Sequence, residues 1–169
     1  MNTIRNKVSE SGIVSLDPEK WIEGISFQSV DLKNLLFEGL ILREKDLREF
    51  VASHNWDQYK SSVVALYCSS EAIIPMWAWM LLSSALAPYA SSVYCCYPHE
   101  LPEKAMIEYI QQLHVSDFTD KRVVVKGCSK LKVGPAMYAA LSVKLMPVVK
   151  SLMFGEPCST VPVYKKPKN

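Results

Sequence analysis

From residue 61 onward, short apolar runs alternate with longer segments whose apolar residues recur at helical spacing. Val63–Tyr67 is almost wholly apolar, as a strand covered on both faces should be. Ile73–Leu86 reads as a helix, Ser92–Tyr97 as a second strand, and Pro102–Leu113 as a second helix with Pro102 in its first turn. Val123–Lys126, Pro135–Met146 and Leu152–Phe154 continue as strand, helix and strand, and Val161–Tyr164 adds a last extended piece. This rhythm predicts an α/β fold, a three-layer, doubly wound, mainly parallel sheet with right-handed crossovers. With the common strand order 2-1-3-4, strands one, three and four lie side by side. No internal repeat longer than a Cys-Ser dipeptide is visible.

Residues 1–60 are patterned differently and read as a helical N-terminal extension packed on a core domain of residues 61–169. Asn2–Glu10 suits a short helix, Ile13–Phe27 has loop and short-strand character, and Leu32–Phe37 suits a helix capped near Asp31. Glu44–Ser53 is the clearest helix here, with Leu47, Phe50 and Val51 on one face. That stripe is too small to form a core alone, so it is expected to bury against the α/β part.

Composition narrows the function classes. The chain has 169 residues and a net charge of only +2, so nothing argues for nucleic acid. The apolar stretch Ala72–Leu86 is about 15 residues, short of the ~20 needed to span a membrane. Met1–Asp17 has no apolar signal-peptide core, and the five cysteines are an odd number, so a cytoplasmic protein with reduced thiols is expected.

Three of those cysteines share one setting. Cys68, Cys128 and Cys158 each precede a serine at or just past the end of a predicted strand. Ligands of open α/β sheets bind outside the C-terminal strand ends, and three thiols delivered there suit a soft metal or an iron–sulfur cluster. Ser69 or Ser70 is placed to cap the following helix, and Lys126 and Lys130 flank Cys128 with charge that favours a thiolate. Glu156 and His99 are candidate fourth ligands. Cys95 and Cys96 read as packing, with Cys96 a weaker extra ligand, and Met76, Met80 and the neighbouring tryptophans read as core filling. No Gly-rich phosphate loop and no CxxC pair is present.

The segments Asp31–Trp56, Ile74–Tyr89, Arg122–Lys130 (RVVVKGCSK) and Met146–Tyr164 (containing GEPCSTVP) resemble an uncharacterised Bacteroidetes family of domains of unknown function, family 2480, nearly end to end. KGCSK and GEPCSTVP carry the specificity, because neither follows from strand or helix propensity. Members lie beside iron–sulfur assembly genes, so the resemblance implies iron–sulfur assembly proteins as partners. It supplies no mechanism. The expectation is therefore a metal- or iron–sulfur-binding protein, with Cys68, Cys128 and Cys158 as ligands and one position open. Zinc in a noncatalytic interaction domain is the alternative, and a cysteine-nucleophile enzyme is a weaker third, since no positioned base is evident.

Overall fold

The two most apolar runs, Val63–Leu66 and Val123–Val125, become interior strands of two different sheets. The computed structural model of the protein describes residues 12–156 and 158–167. The helix expected over Asn2–Glu10 lies outside them. In chain order the elements are β1 (Ile13–Leu16), β2 (Ser26–Asp31), α1 (Glu44–Ser53), β3 (Ser62–Tyr67), α2 (Met76–Leu86), β4 (Ser92–Cys95), α3 (Leu101–Gln112), β5 (Arg122–Val125), α4 (Pro135–Leu145), β6 (Ser151–Glu156) and β7 (Ser159–Lys165).

The α/β class stands, and all strand pairs but one are parallel. The expected strand order does not form. β2-β3-β4 make one sheet and β1-β5-β6-β7 the other, with β7 returning antiparallel to β6. The strands that carry Cys68 and Cys128 are therefore not neighbours in one sheet. The region expected as a helical extension supplies a strand to each sheet, β1 and β2, and Leu32–Leu35 is a single 3₁₀ turn rather than a helix. The reason is pairing: short polar-interrupted strands such as Ser26–Asp31 carry weak propensity but gain a full parallel ladder against β3.

The chain divides into two compact units. One is Gly24–Leu101; the other joins the described residues up to Glu23 to those from Pro102 onward. The first unit thus interrupts the chain of the second. In the inserted unit, Leu47 is fully buried with Val64, Leu66, Ala78, Leu82 and Leu86, and Phe50 and Val51 pack at its margin, as their helical stripe predicts. The stripe of α2 that fills this core is Ala78, Leu82 and Leu86. Met76 and Met80 are 75% and 70% exposed, so they do not fill it. In the discontinuous unit, Met137, Leu141 and Leu145 of α4 and Val123–Val125 of β5 are buried in the same way.

The two units repeat one another, at a spacing set by Met76 of α2 and Pro135 of α4, which open two 11-residue helices. Before β3, Ser61 takes φ 58°, and before β5, Asp120 takes φ 54°. Ser61 N–H donates to the Tyr89 carbonyl at 3.0 Å, and Asp120 N–H donates to the Val148 carbonyl at 2.8 Å. Ser91 N–H reaches the Ser62 carbonyl at 2.9 Å, as Lys150 N–H reaches that of Lys121 at 2.8 Å. Ala78, Leu82 and Leu86 occupy the places of Met137, Leu141 and Leu145. This duplication is nearly silent in sequence. Leu82/Leu141, Leu86/Leu145 and Pro88/Pro147 match, but most positions between them differ.

Candidate functional site

The strand ends of the inserted unit open into a cavity of about 430 Å³, lined among others by Cys68, Cys95, Cys96, Tyr67, Tyr97 and Trp79. It sits where open parallel sheets bind ligands, beyond the C-terminal ends of β3 and β4. Leu66 pairs with Cys95, and Cys96 N–H donates to the Leu66 carbonyl at 3.2 Å, which extends the ladder one step past β4. Cys68 lies two residues beyond Leu66. Side chains alternate along strands, so Cys68 and Cys95 share the face covered by α2, while Cys96 packs with Val63, Ala65 and Leu101 on the other. The cavity therefore wraps the sheet edge and meets thiols from both faces. No cysteine is in a disulfide. Burial pushes the Cys95 thiol above its ordinary value.

The loop after β3 is held by Asp31, the last residue of β2. Its carboxylate accepts from Ser69 N–H at 3.0 Å, from the Ser69 hydroxyl at 2.6 Å and from Lys33 N–H at 3.0 Å. The expected serine cap of α2 is thus absent. Ser69 is committed to Asp31, the Ser70 hydroxyl donates to the Gly39 carbonyl, and α2 starts only after Pro75. Partial burial pushes the Asp31 carboxyl up, but the hydrogen bonds outweigh it and hold the group below the usual aspartate range. A carboxyl depressed in the folded state contributes stability above its unfolded pKa and loses it as pH falls through the folded value. Asp31→Asn is accordingly expected to cost about 1 kcal/mol near neutral pH. The gap from wild type should close as pH is lowered below about 4. Urea denaturation of both proteins across that pH range checks this.

The same edge in the discontinuous unit is lined differently: its cavity, about 310 Å³, is bordered by Val125, Tyr138 and Phe154 and by no thiol. Phe154 stands where the inserted unit has Cys95, and Tyr138 stands where it has Trp79; the two rings meet edge to face at 5.5 Å. Tyr67 and Tyr97, which face each other at 5.8 Å beside the open cavity, are replaced by Lys126 and Glu156, an ion pair at 3.2 Å. Gly127 leaves the Phe154 ring room, since a Cβ there would come within 3.2 Å of it.

Of the residues singled out from sequence, Cys68 lies in the open cavity. Cys128 follows β5, and its N–H donates to the Tyr138 hydroxyl at 2.8 Å. Its thiol is pushed up, first by burial and further by the Glu19 and Asp17 carboxylates, although the Tyr138 hydrogen bond opposes this. The expected thiolate-favouring effect of Lys126 and Lys130 does not prevail, because burial disfavours the thiolate first, carboxylates face the sulfur, and Lys126 is engaged by Glu156. Cys158 is exposed in the β6–β7 turn. His99 is exposed and stacks on Tyr97 at 5.9 Å. The set Cys68, Cys128 and Cys158 is divided between the units, the first in one and the other two in the second. Among the described residues, no group of three or more His, Cys, Asp or Glu is placed to hold a metal ion.

Cys95 and Cys96, which the sequence assigns to packing, line this cavity beside Cys68. The sequence pattern runs this strand on to Tyr97; in the structure β4 ends at Cys95, and only the adjacency of β3 and β4 brings that end beside Cys68.

No helix among the described residues is long and apolar enough to cross a membrane. No curated protein and no solved structure matches the chain. A family model described as "Protein of unknown function (DUF2480)" matches residues 2–166, and with that coverage the chain belongs to this family.

Proposed function

We propose that the cavity at the edge of the inserted unit is an acceptor site for a thiophilic metal species, iron or an iron–sulfur unit in transit. Cys68 and Cys95 are its protein donors, and Cys96 borders the cavity from the other face. The observation that carries this is the gathering of three of the five cysteines around one cavity, at a sheet edge whose counterpart in the other unit is lined by Phe154 and Tyr138 and by no thiol. Thiols are the protein ligands of soft metals and iron–sulfur clusters, and a bound metal would supply Lewis acidity or electron storage. The residues fit such a species only in part. Two thiols share a face and the third approaches around the edge, so the remaining positions fall to the incoming species or to the protein that delivers it. That suits a labile, handed-on metal, an accessory role beside iron–sulfur assembly proteins, and a reducing compartment such as the cytoplasm. Relative to the donor set expected from sequence, Cys68 is kept, and Cys95 takes the place of Cys128, Cys158, Glu156 and His99.

Because thiols must deprotonate to bind, and burial raises that of Cys95, metal affinity should rise with pH. Anaerobic titration with Co(II), followed by thiolate-to-metal charge-transfer absorption, tests the proposal. Wild type, Cys128→Ser and Cys158→Ser should develop the bands alike, while Cys68→Ser and Cys95→Ser should lose them. Absence of the bands in wild type, or their loss in Cys128→Ser or Cys158→Ser, overturns it. Retained zinc that resists chelation would instead identify a structural site.

A further inference from the structure

A second feature lies in the discontinuous unit and is independent of the cavity. Three successive backbone N–H groups after β5 converge on one oxygen. Ser129, Lys130 and Leu131 donate to Oε1 of Glu19 at 2.8, 2.7 and 3.3 Å. Glu19 reaches them from the 3₁₀ turn Pro18–Ile22, which follows β1; β1 runs parallel to β5, with Leu16 paired to Val125. Successive amides that point into one concavity form a nest, an arrangement that binds anions through fixed partial charges. This nest already holds an anionic group. Lys130 and Lys132 extend from the same loop, and Cys128 immediately precedes it.

The inserted unit shows that holding the loop does not require this geometry. There a single loop residue, Ser69, offers its N–H and hydroxyl to Asp31, and the other backbone donor, Lys33, belongs to the segment after β2 itself. Only the discontinuous unit turns three consecutive loop amides toward one point.

We propose that the Ser129–Leu131 loop is a binding site for a tetrahedral oxyanion of the phosphate class, and that Glu19 occupies it as a built-in competitor. One oxygen of the anion takes the place of Glu19 Oε1, and its remaining charge faces Lys130 and Lys132. Glu19 is also one of the two carboxylates that push up the Cys128 thiol, so the charge held in the nest is felt at that sulfur. The nest amides hold the Glu19 carboxyl below its ordinary range, Lys130 N–H foremost, which is the preference for negative charge that an external anion would use.

Titration of the full chain with inorganic phosphate, followed by the amide resonances of Ser129, Lys130 and Leu131, tests this directly. An occupant seated in about nine molecules of ten weakens the apparent affinity of a competitor by ~10-fold. Glu19→Ala should therefore bind phosphate at least ~10-fold more tightly than wild type, with shifts centred on those three amides. Glu19→Gln keeps the side chain's size and guards against loss of fold, and it should show a gain in the same direction. Glycerol phosphate in place of inorganic phosphate distinguishes a pendant phosphoryl group from a free anion, and binding of either kind at the three amides supports the site. Unchanged affinity in both variants, or shifts centred elsewhere, overturns it. As a second readout, Cys128 should be alkylated faster in Glu19→Gln than in wild type at the same pH. Equal rates would break the coupling to the thiol.

Discussion

Leu82→Ala is expected to destabilise the protein by about 2–5 kcal/mol, because truncating a buried leucine loses transfer free energy and leaves a cavity. Leu82 has no exposed surface and sits centrally in α2, among Val64, Leu66, Ala78 and Leu86. Strand β3 lies directly beneath, so neither neighbour can collapse into the gap without breaking its ladder with β2 and β4. Two positions earlier on the same helix, Met80 is mostly exposed, and Met80→Ala should stay within about 0.5 kcal/mol of wild type. Urea unfolding followed by circular dichroism would measure both. Similar losses at the two positions would mean that α2 presents another face to the sheet.

Gly155→Ala should be the most damaging of the small substitutions. Gly155 has φ +123°, a region that residues with a Cβ rarely enter, and such backbone strain is of order 1–3 kcal/mol by itself. A Cβ would also stand 2.5 Å from the carbonyl oxygen of Ser159, which belongs to the facing strand β7. The clash is with backbone, so no rotamer relieves it. The β6–β7 hairpin must shift, and with it the Glu156–Ser159 pairing that closes the turn carrying Cys158. A lowered melting temperature, with faster hydrogen exchange in β6 and β7 than elsewhere, is the expected result. Unchanged exchange in those strands would show that the hairpin adopts another path.

The strand–helix alternation was legible because it is a local property. Val63–Leu66 and Val123–Val125 are apolar without break, Pro135 opens a helix, and Leu47, Phe50 and Val51 recur at helical spacing. Each signal lies within a window of a few residues and reports a period of 2 or 3.6. The same locality limits what such signals say. Met76 and Met80 look like core on an apolar helix, yet they point outward, because α2 is apolar nearly all round and only the sheet beneath selects its buried stripe.

Sequence alone thus determined the elements from β3 to β7, their mostly parallel character, the burial of the α1 stripe and the family. Tertiary structure decided which strands share a sheet. β1 and β2 are separated in sequence from their partners β5 and β3, and pairing across such distances is set by which ladder and core can be completed, not by propensity. Tertiary structure also decided the chemistry at the sheet edges. Cys68 and Cys95 line one cavity because β3 and β4 are neighbours. The counterpart cavity is apolar and aromatic because Phe154 and Tyr138 occupy the matching places. Glu19 lies 110 residues from Ser129, whose amide it accepts, and no pattern within the chain marks that pair before the fold brings them together.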